Sequence, residues 1–217
     1  TRTRRQRQMC IRDRLILYLL NNFMLVIGNG ESRKHLDISK YAKTKVGCNA
    51  IFRDFYVHHL ICCDRRMVIE AQEDGNYGVI YTRADWQGQF EGCQVVPELP
   101  YKGDTRPDDP WHWGSGPYAL LQGAYLAHNF MSDPVVEIIG FDIGNNEGTV
   151  NNIYKGTQNY DPVDARPVDP SYWIYQSNKV FEYFDKVQFI YYNNTPWPKI
   201  INNVTSKGTE EFNALST

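Results

Sequence analysis

The chain has 217 residues, enough for one α/β domain with a full core, and 42% of them are hydrophobic and 14% aromatic, which excludes a solvated, disordered polymer. A formal net charge of −2 argues against a protein that coats nucleic acid. The five cysteines (Cys10, Cys48, Cys62, Cys63 and Cys93) contain no C-x-x-C pair, so neither a disulfide frame nor a zinc site is predicted.

Thr1 to Arg14 carries six arginines and one acid without apolar periodicity. It resembles the translated adapter read-through found at the ends of metagenomic reading frames, and is set apart from the fold. The alternative is a genuine basic arm for RNA or an acidic surface. Without this segment the remainder is more acidic than the whole chain, which weakens any polyanion-binding role further. Leu15 to Phe23 is apolar, but Asn21-Asn22 interrupts it and it is too short to span a bilayer. Met24 is the expected initiator, with residues 1–23 a non-native leader and residues 24–217 a single α/β nucleotide-binding domain.

Leu25-Val26-Ile27 reads as a buried first strand that ends in the turn Gly28-Asn29-Gly30. Glycines there let a ligand approach the main chain closely, and a helix opening near Ser32 would aim free N–H groups at an anion. The third glycine of the dinucleotide fingerprint is missing, so a tight turn without a ligand is the competing reading. Further strands are predicted at residues 45–50, 60–64, 78–82, 135–142 and 187–192. They are continuous apolar runs, as expected of strands covered on both faces. Cys62 and Cys63 fall in one such run and read as reduced core residues, consistent with a cytoplasmic location in a bacterial or phage-infected cell.

Two helices stand out. One runs from Pro117 to about Phe130, and the second from about Pro170 to Phe184 with Asp169 as its N-cap. On the second, Trp173, Ser177, Val180, Phe181 and Phe184 share a stripe that reads as core packing. The long irregular stretches before Trp111 and from Asn145 to Pro170 leave from strand ends and are candidate walls or lids of one site. The whole predicts a single Rossmann-like domain, a mostly parallel sheet with helices on both faces, in which a ligand sits at the carboxyl ends of the strands.

The residues that can carry chemistry gather at those ends. Gly28, Asn29, Gly30 and Ser32 follow the first strand, Asn49 the second, Asp64 the third and Asp142 the fifth. Ser115 and Gly116 open a helix and offer a second phosphate cradle. Asn29 and Asn49 can both donate and accept, which suits a base or ribose, and Asp64 and Asp142 could accept from ribose hydroxyls or simply cap loops. His112 is the nearest candidate general base. No D-x-D stands at a strand end, so no metal is expected.

The succession GNGESRKHLD, GCNAIFRDF, WGSGPYALLQGAYLA and VEIIGFDIG resembles the bacterial CMP-sialic-acid-dependent sialyltransferases that decorate lipooligosaccharide, over about residues 25–144 and faintly to 184. The chain is also similar to uncharacterised proteins of marine phages and metagenomes. The resemblance implies a GT-A-type, metal-independent glycosyltransferase. It implies that Gly28, Asn29, Gly30, Asn49, Ser115 and Gly116 line a cytidine-nucleotide site. The donor would be a nucleotide-sugar, with a CMP-linked one the first candidate, and the acceptor a glycan or other hydroxyl; no separate cofactor and no nucleic-acid partner is expected. The family's histidine base has no counterpart here, and Tyr172 or Tyr175 lies near its place. For the family's phosphate-binding tyrosines, Gly144 stands at the first position, and only Tyr154 and Tyr160 lie beyond. His112 stands where the family carries an arginine. Beside the transferase reading stand a nucleotide-binding protein that has lost catalysis and another Rossmann-like transferase such as a methyltransferase. Against the last, the second strand ends in Asn49 rather than a ribose-holding acid.

Overall fold

In the computed structural model, which describes residues 23–143 and 148–214, every neighbouring pair of strands runs parallel. The strands are β1 (Phe23–Ile27), β2 (Thr44–Cys48), β3 (Val57–Ile61), β4 (Tyr77–Thr82), β5 (Gln94–Val95), β6 (Val135–Ile139), β7 (Gln188–Tyr192) and β8 (Val204–Lys207). They form one eight-stranded sheet in the order β5-β4-β3-β2-β1-β6-β7-β8. The chain builds outward from β1 to β5, returns to β6 on the other side of β1, and builds outward again. The reversal between β1 and β6 is a topological switch point, where an open parallel sheet leaves a crevice at its carboxyl edge.

Helices α1 (Arg65–Asp74), α2 (Ala84–Gln87), α3 (Ser115–Phe130), α4 (Ser171–Tyr183) and α5 (Thr209–Ala214) complete the described elements. Side chains of β1 point alternately to the two faces. Met24 and Val26 join the core that includes residues of α3 and α4, while Leu25 and Ile27 join the core that includes α1 and Phe212. Both faces are covered, which explains the unbroken apolar runs. Gly123 lets α3 settle on β1, since a Cβ there would lie 2.5 Å from Val26 Cγ2. Among the described residues no helix is long and apolar enough to cross a membrane.

Several predicted boundaries move, each for a physical reason. The second strand stops at Cys48 because Asn49 takes a left-handed φ of +51°. The third begins at Val57 and ends at Ile61, before Cys62; the two histidines in VHHLI masked its start. The fifth predicted strand ends at Ile139, where Gly140 has φ +67°. Two edge strands, β5 and β8, escaped prediction: an edge need not be apolar on both faces, and β5 is only two residues long. β1 begins at Phe23, whose main chain pairs with Val135; the rest of the predicted leader lies outside the described residues. No helix opens at Ser32, where there is only a 3-10 turn, Glu31–Arg33.

One constraint sets the geometry of the switch point. A Cβ on Gly28 would lie 2.3 Å from the carbonyl oxygen of Gly140, and one on Gly140 would lie 2.6 Å from that of Gly28. Both neighbours are backbone and cannot swing aside. Gly28→Ala is expected to destabilise the fold by about 1–3 kcal/mol, as overpacking does, read as a lowered midpoint of thermal unfolding. An unchanged midpoint would show that β1 and β6 can separate without penalty.

Candidate functional site

A cavity of about 550 Å³ opens at the switch point, within the ~300–1,000 Å³ range typical of small-molecule sites. Of the predicted nucleotide-binding residues, Gly28, Asn29, Gly30, Asn49, Asp64, Ser115, Gly116 and Asp142 all line it. Ser32 does not, and neither do the predicted catalytic residues His112, Tyr172 and Tyr175.

The glycine turn forms the floor, but not by offering its amides. Gly28 N–H donates to Ile139 O at 2.9 Å and Gly30 N–H to Gly140 O at 2.8 Å. Glu31 N–H donates to Asn151 Oδ1 and Ser32 N–H to Asp142 Oδ2, both at 2.8 Å. Four amides of the first predicted phosphate cradle, at Gly28, Gly30, Glu31 and Ser32, are therefore already taken by the protein's own acceptors. Ser32 faces Asp142 through its hydroxyl as well, and Asn193 Nδ2 adds a third donor to that carboxylate at 2.9 Å. Asp142 is thus a clamp that ties the turn after β1 to the chain leaving β6.

Two residues of the floor carry buried side-chain carbonyls without a partner among the described residues. Asn29 Nδ2 donates to the Tyr160 hydroxyl at 3.1 Å, while Asn29 Oδ1 is buried with no partner among the described residues. Asn49 Oδ1 is in the same condition. A buried acceptor left unmatched costs about 1–3 kcal/mol, so two of them on one cavity mark places where a ligand's donors belong.

The N-terminus of α3 forms a second wall. Ser115 and Gly116 occupy its first turn, where N–H groups lack intrahelical acceptors and the helix dipole favours an anion. Ser115 Oγ accepts from Cys63 N–H at 2.9 Å, which docks the start of α3 on the chain just beyond β3. Cys48 and Cys63 also line the cavity, and burial pushes both thiols up to about 12. They are therefore protonated and unreactive at neutral pH, as expected of core cysteines. Asp64 caps α1 through Arg66 N–H at 2.8 Å. Its hydrogen bond to the Arg66 side chain holds its carboxyl below the usual range. Arg83 reaches the cavity while its guanidinium is bound by Asp85 at 2.5 Å and by Trp111 O at 3.1 Å.

The predicted lid after β6 is a pinned wall. Ile153 N–H donates to Asn29 O at 2.9 Å. Arg53 reaches Thr157 Oγ1 at 2.7 Å and Gln158 O at 2.9 Å, and is itself paired with Glu70 at 2.5 Å. Buried Arg33 joins Gly28 O, Asp54 and the Tyr154 hydroxyl, so it ties the floor to this wall. Tyr160 is one of several residues of this segment that line the cavity, and its hydroxyl accepts from Asn29 Nδ2 and, at 3.3 Å, from Ala50 N–H. Burial raises its pKa, so the phenol keeps a proton to donate. Gly144 lies outside the described residues.

The predicted catalytic residues lie outside the cavity lining. His112 ends a 3-10 turn, is exposed, and its Nε2 accepts from Arg106 at 3.3 Å. Tyr175 donates to Asp108 Oδ1 at 2.8 Å, away from the cavity. On α4 it is Trp173 that lines the cavity; Tyr172 and Tyr175 sit about 100° and 200° round the helix from it. Arg83 and Tyr160 fall in the two stretches that the sequence marks as candidate walls, without being assigned to the site individually, and Trp173 reads from sequence as core packing.

The chain matches no protein-family model and no curated protein. Among solved structures it is similar to a crystal structure of the sialyltransferase CST-II in complex with a trisaccharide acceptor and CMP. The identity is 11% and the TM-score 0.42, over 78% of this chain and 80% of that one.

Tyr160→Phe leaves Asn29 Nδ2 and Ala50 N–H without their acceptor. Stability is expected to fall by about 1–3 kcal/mol in urea titration; a change within a few tenths of that unit would show that water replaces the phenol without penalty.

Proposed function

We propose that the cavity holds a nucleoside phosphate and that the protein is a nucleotide-sugar-dependent glycosyltransferase. The observation that carries this reading is the meeting, in one cavity, of an anion-favouring helix N-terminus at Ser115 and Gly116 with the two unmatched carbonyls of Asn29 and Asn49. A phosphate suits the first and the amine or hydroxyl donors of a nucleoside suit the second. Cytosine, with an exocyclic amine, offers a donor that uracil lacks, so CMP is the first candidate. The order of motifs along the chain, which resembles the sialyltransferases, supports the same assignment.

In the transfer an acceptor hydroxyl oxygen bonds to the anomeric carbon as the bond to the phosphate oxygen breaks, and the nucleoside phosphate departs with that electron pair. In this reading the α3 N-terminus and the Tyr160 hydroxyl, both on the cavity, stabilise the developing charge on that phosphate. The acceptor proton goes to a carboxylate; Asp161, beside Tyr160 on the cavity wall, is the base this reading assigns. One observation favours nucleotide binding without transfer: His112, Tyr172 and Tyr175 all lie outside the cavity.

Calorimetric titration of the chain with CMP, UMP, GMP and S-adenosylhomocysteine tests the reading. CMP is expected to bind best. Asn49→Gly preserves the left-handed backbone and removes one carbonyl, so CMP should weaken about three- to tenfold, the loss of one neutral hydrogen bond. Binding of S-adenosylhomocysteine in place of the nucleotides would move the assignment to a methyltransferase. Silence toward all four would overturn it. If CMP binds and a CMP-sugar is not turned over, the binding-protein reading replaces the transferase.

A further inference from the structure

The aromatic stripe predicted along α4 divides in the structure. Val180, Phe181 and Phe184 are buried in the core, whereas Trp173 lines the cavity and is 38% exposed. Core packing therefore accounts for the later part of the stripe but not for its first member. The segment leading into α4 shares this situation: Val168 lines the same cavity with 53% of its surface exposed. An indole is among the largest apolar groups a protein can bury, and here much of it stands in water at the rim of a cavity.

The position of that indole is set by a close contact. A Cβ on Gly114 would lie 3.0 Å from Trp173 Nε1 and 3.3 Å from its Cδ1. The pyrrole edge of the ring thus rests on the residue that caps α3, immediately before Ser115 and Gly116. Whatever is held at that helix N-terminus has the indole as its neighbour. A pyranose fits such a wall: its hydroxyls radiate from the rim, and its faces carry apolar C–H groups that can lie on an aromatic plane while the rim stays wet. Charge points to a neutral ring, because Arg83, the cationic side chain lining the cavity among the described residues, is already bound by Asp85 and the Trp111 carbonyl.

We infer that Trp173, with Val168 beside it in the cavity wall, is the seat of a neutral pyranose ring of the acceptor, next to the nucleotide's phosphate. The inference rests on the transferase reading for the word acceptor. The stacking itself is testable without it.

The test uses the full chain, a panel of neutral methyl glycosides (gluco-, galacto- and mannopyranosides) and saturation-transfer difference NMR, with and without saturating CMP. Calorimetry reads CMP separately. At least one glycoside is expected to receive saturation at its ring C–H protons and to bind alongside CMP. Trp173→Ala should weaken it about five- to tenfold, while Trp173→Phe keeps most of the affinity. CMP affinity should stay within about twofold in both. Trp111→Ala, which removes an indole that is 53% exposed but does not line the cavity, should leave glycoside binding unchanged. Absence of saturation transfer to every glycoside overturns the inference, as does equal binding by wild type and Trp173→Ala with matching thermal unfolding. Glycosides that CMP displaces overturn the acceptor assignment. Failure of CMP to bind overturns the nucleotide reading alone, because glycoside binding that depends on Trp173 would still establish the subsite.

Discussion

The backbones of β1 and β6 continue past their strand ends at a separation only two glycines allow. Gly28 and Gly140 face each other with no room for a Cβ on either side. Two further hydrogen bonds, Gly28 N to Ile139 O and Gly30 N to Gly140 O, extend the ladder beyond the last paired residues. The crevice that a parallel sheet would leave at its switch point is thereby closed at the bottom. Asp142 then locks the closure, since its carboxylate holds Ser32 through main chain and hydroxyl together. On the floor of the cavity the N–H groups of Gly28, Gly30, Glu31 and Ser32 are satisfied by the protein itself.

That closure decides how a ligand must be read. With the amides of Gly28, Gly30, Glu31 and Ser32 occupied, the N-terminus of α3 is an anion-favouring element at the cavity, and the side-chain carbonyls of Asn29 and Asn49 are without partners among the described residues. An anion suits the first of these and hydrogen-bond donors suit the second.

The segment from 148 to 170 completes the enclosure at little entropic cost on binding, since it is already tied down. Arg33 and Arg53 supply three of the ties, and each spans the gap between the 28–54 region and the segment. Arg33 is 4% exposed, so its charge depends on Asp54 and the Gly28 carbonyl together. Removing Asp54, whose side chain is 37% exposed, would leave the buried Arg33 charge to the Gly28 carbonyl and the Tyr154 hydroxyl. The wall is for this reason as preorganised as the floor.

The amino-acid sequence by itself determined the class of fold and the edge of the sheet at which the site lies. Short runs such as LVI and VEII, bounded by turn residues, suit strands buried on both faces, and such strands demand crossover helices. The residues that end them, Gly28, Asn29, Asn49, Asp64, Ser115 and Asp142, do converge on one cavity, because a parallel sheet brings all its carboxyl ends to one side. Tertiary structure alone decided what those residues do. Whether the glycine amides are free depends on the approach of β6, which is about 110 residues away along the chain. Whether Trp173 or its neighbours Tyr172 and Tyr175 face the ligand depends on the rotation of α4 about its axis, which is set by packing against the core. His112 looked catalytic because histidine titrates near neutral pH, but a loop's course over the surface is not written in its composition. Local sequence encodes period and propensity; the pairing of distant groups, and so the chemistry left over for a ligand, arises only when the elements meet.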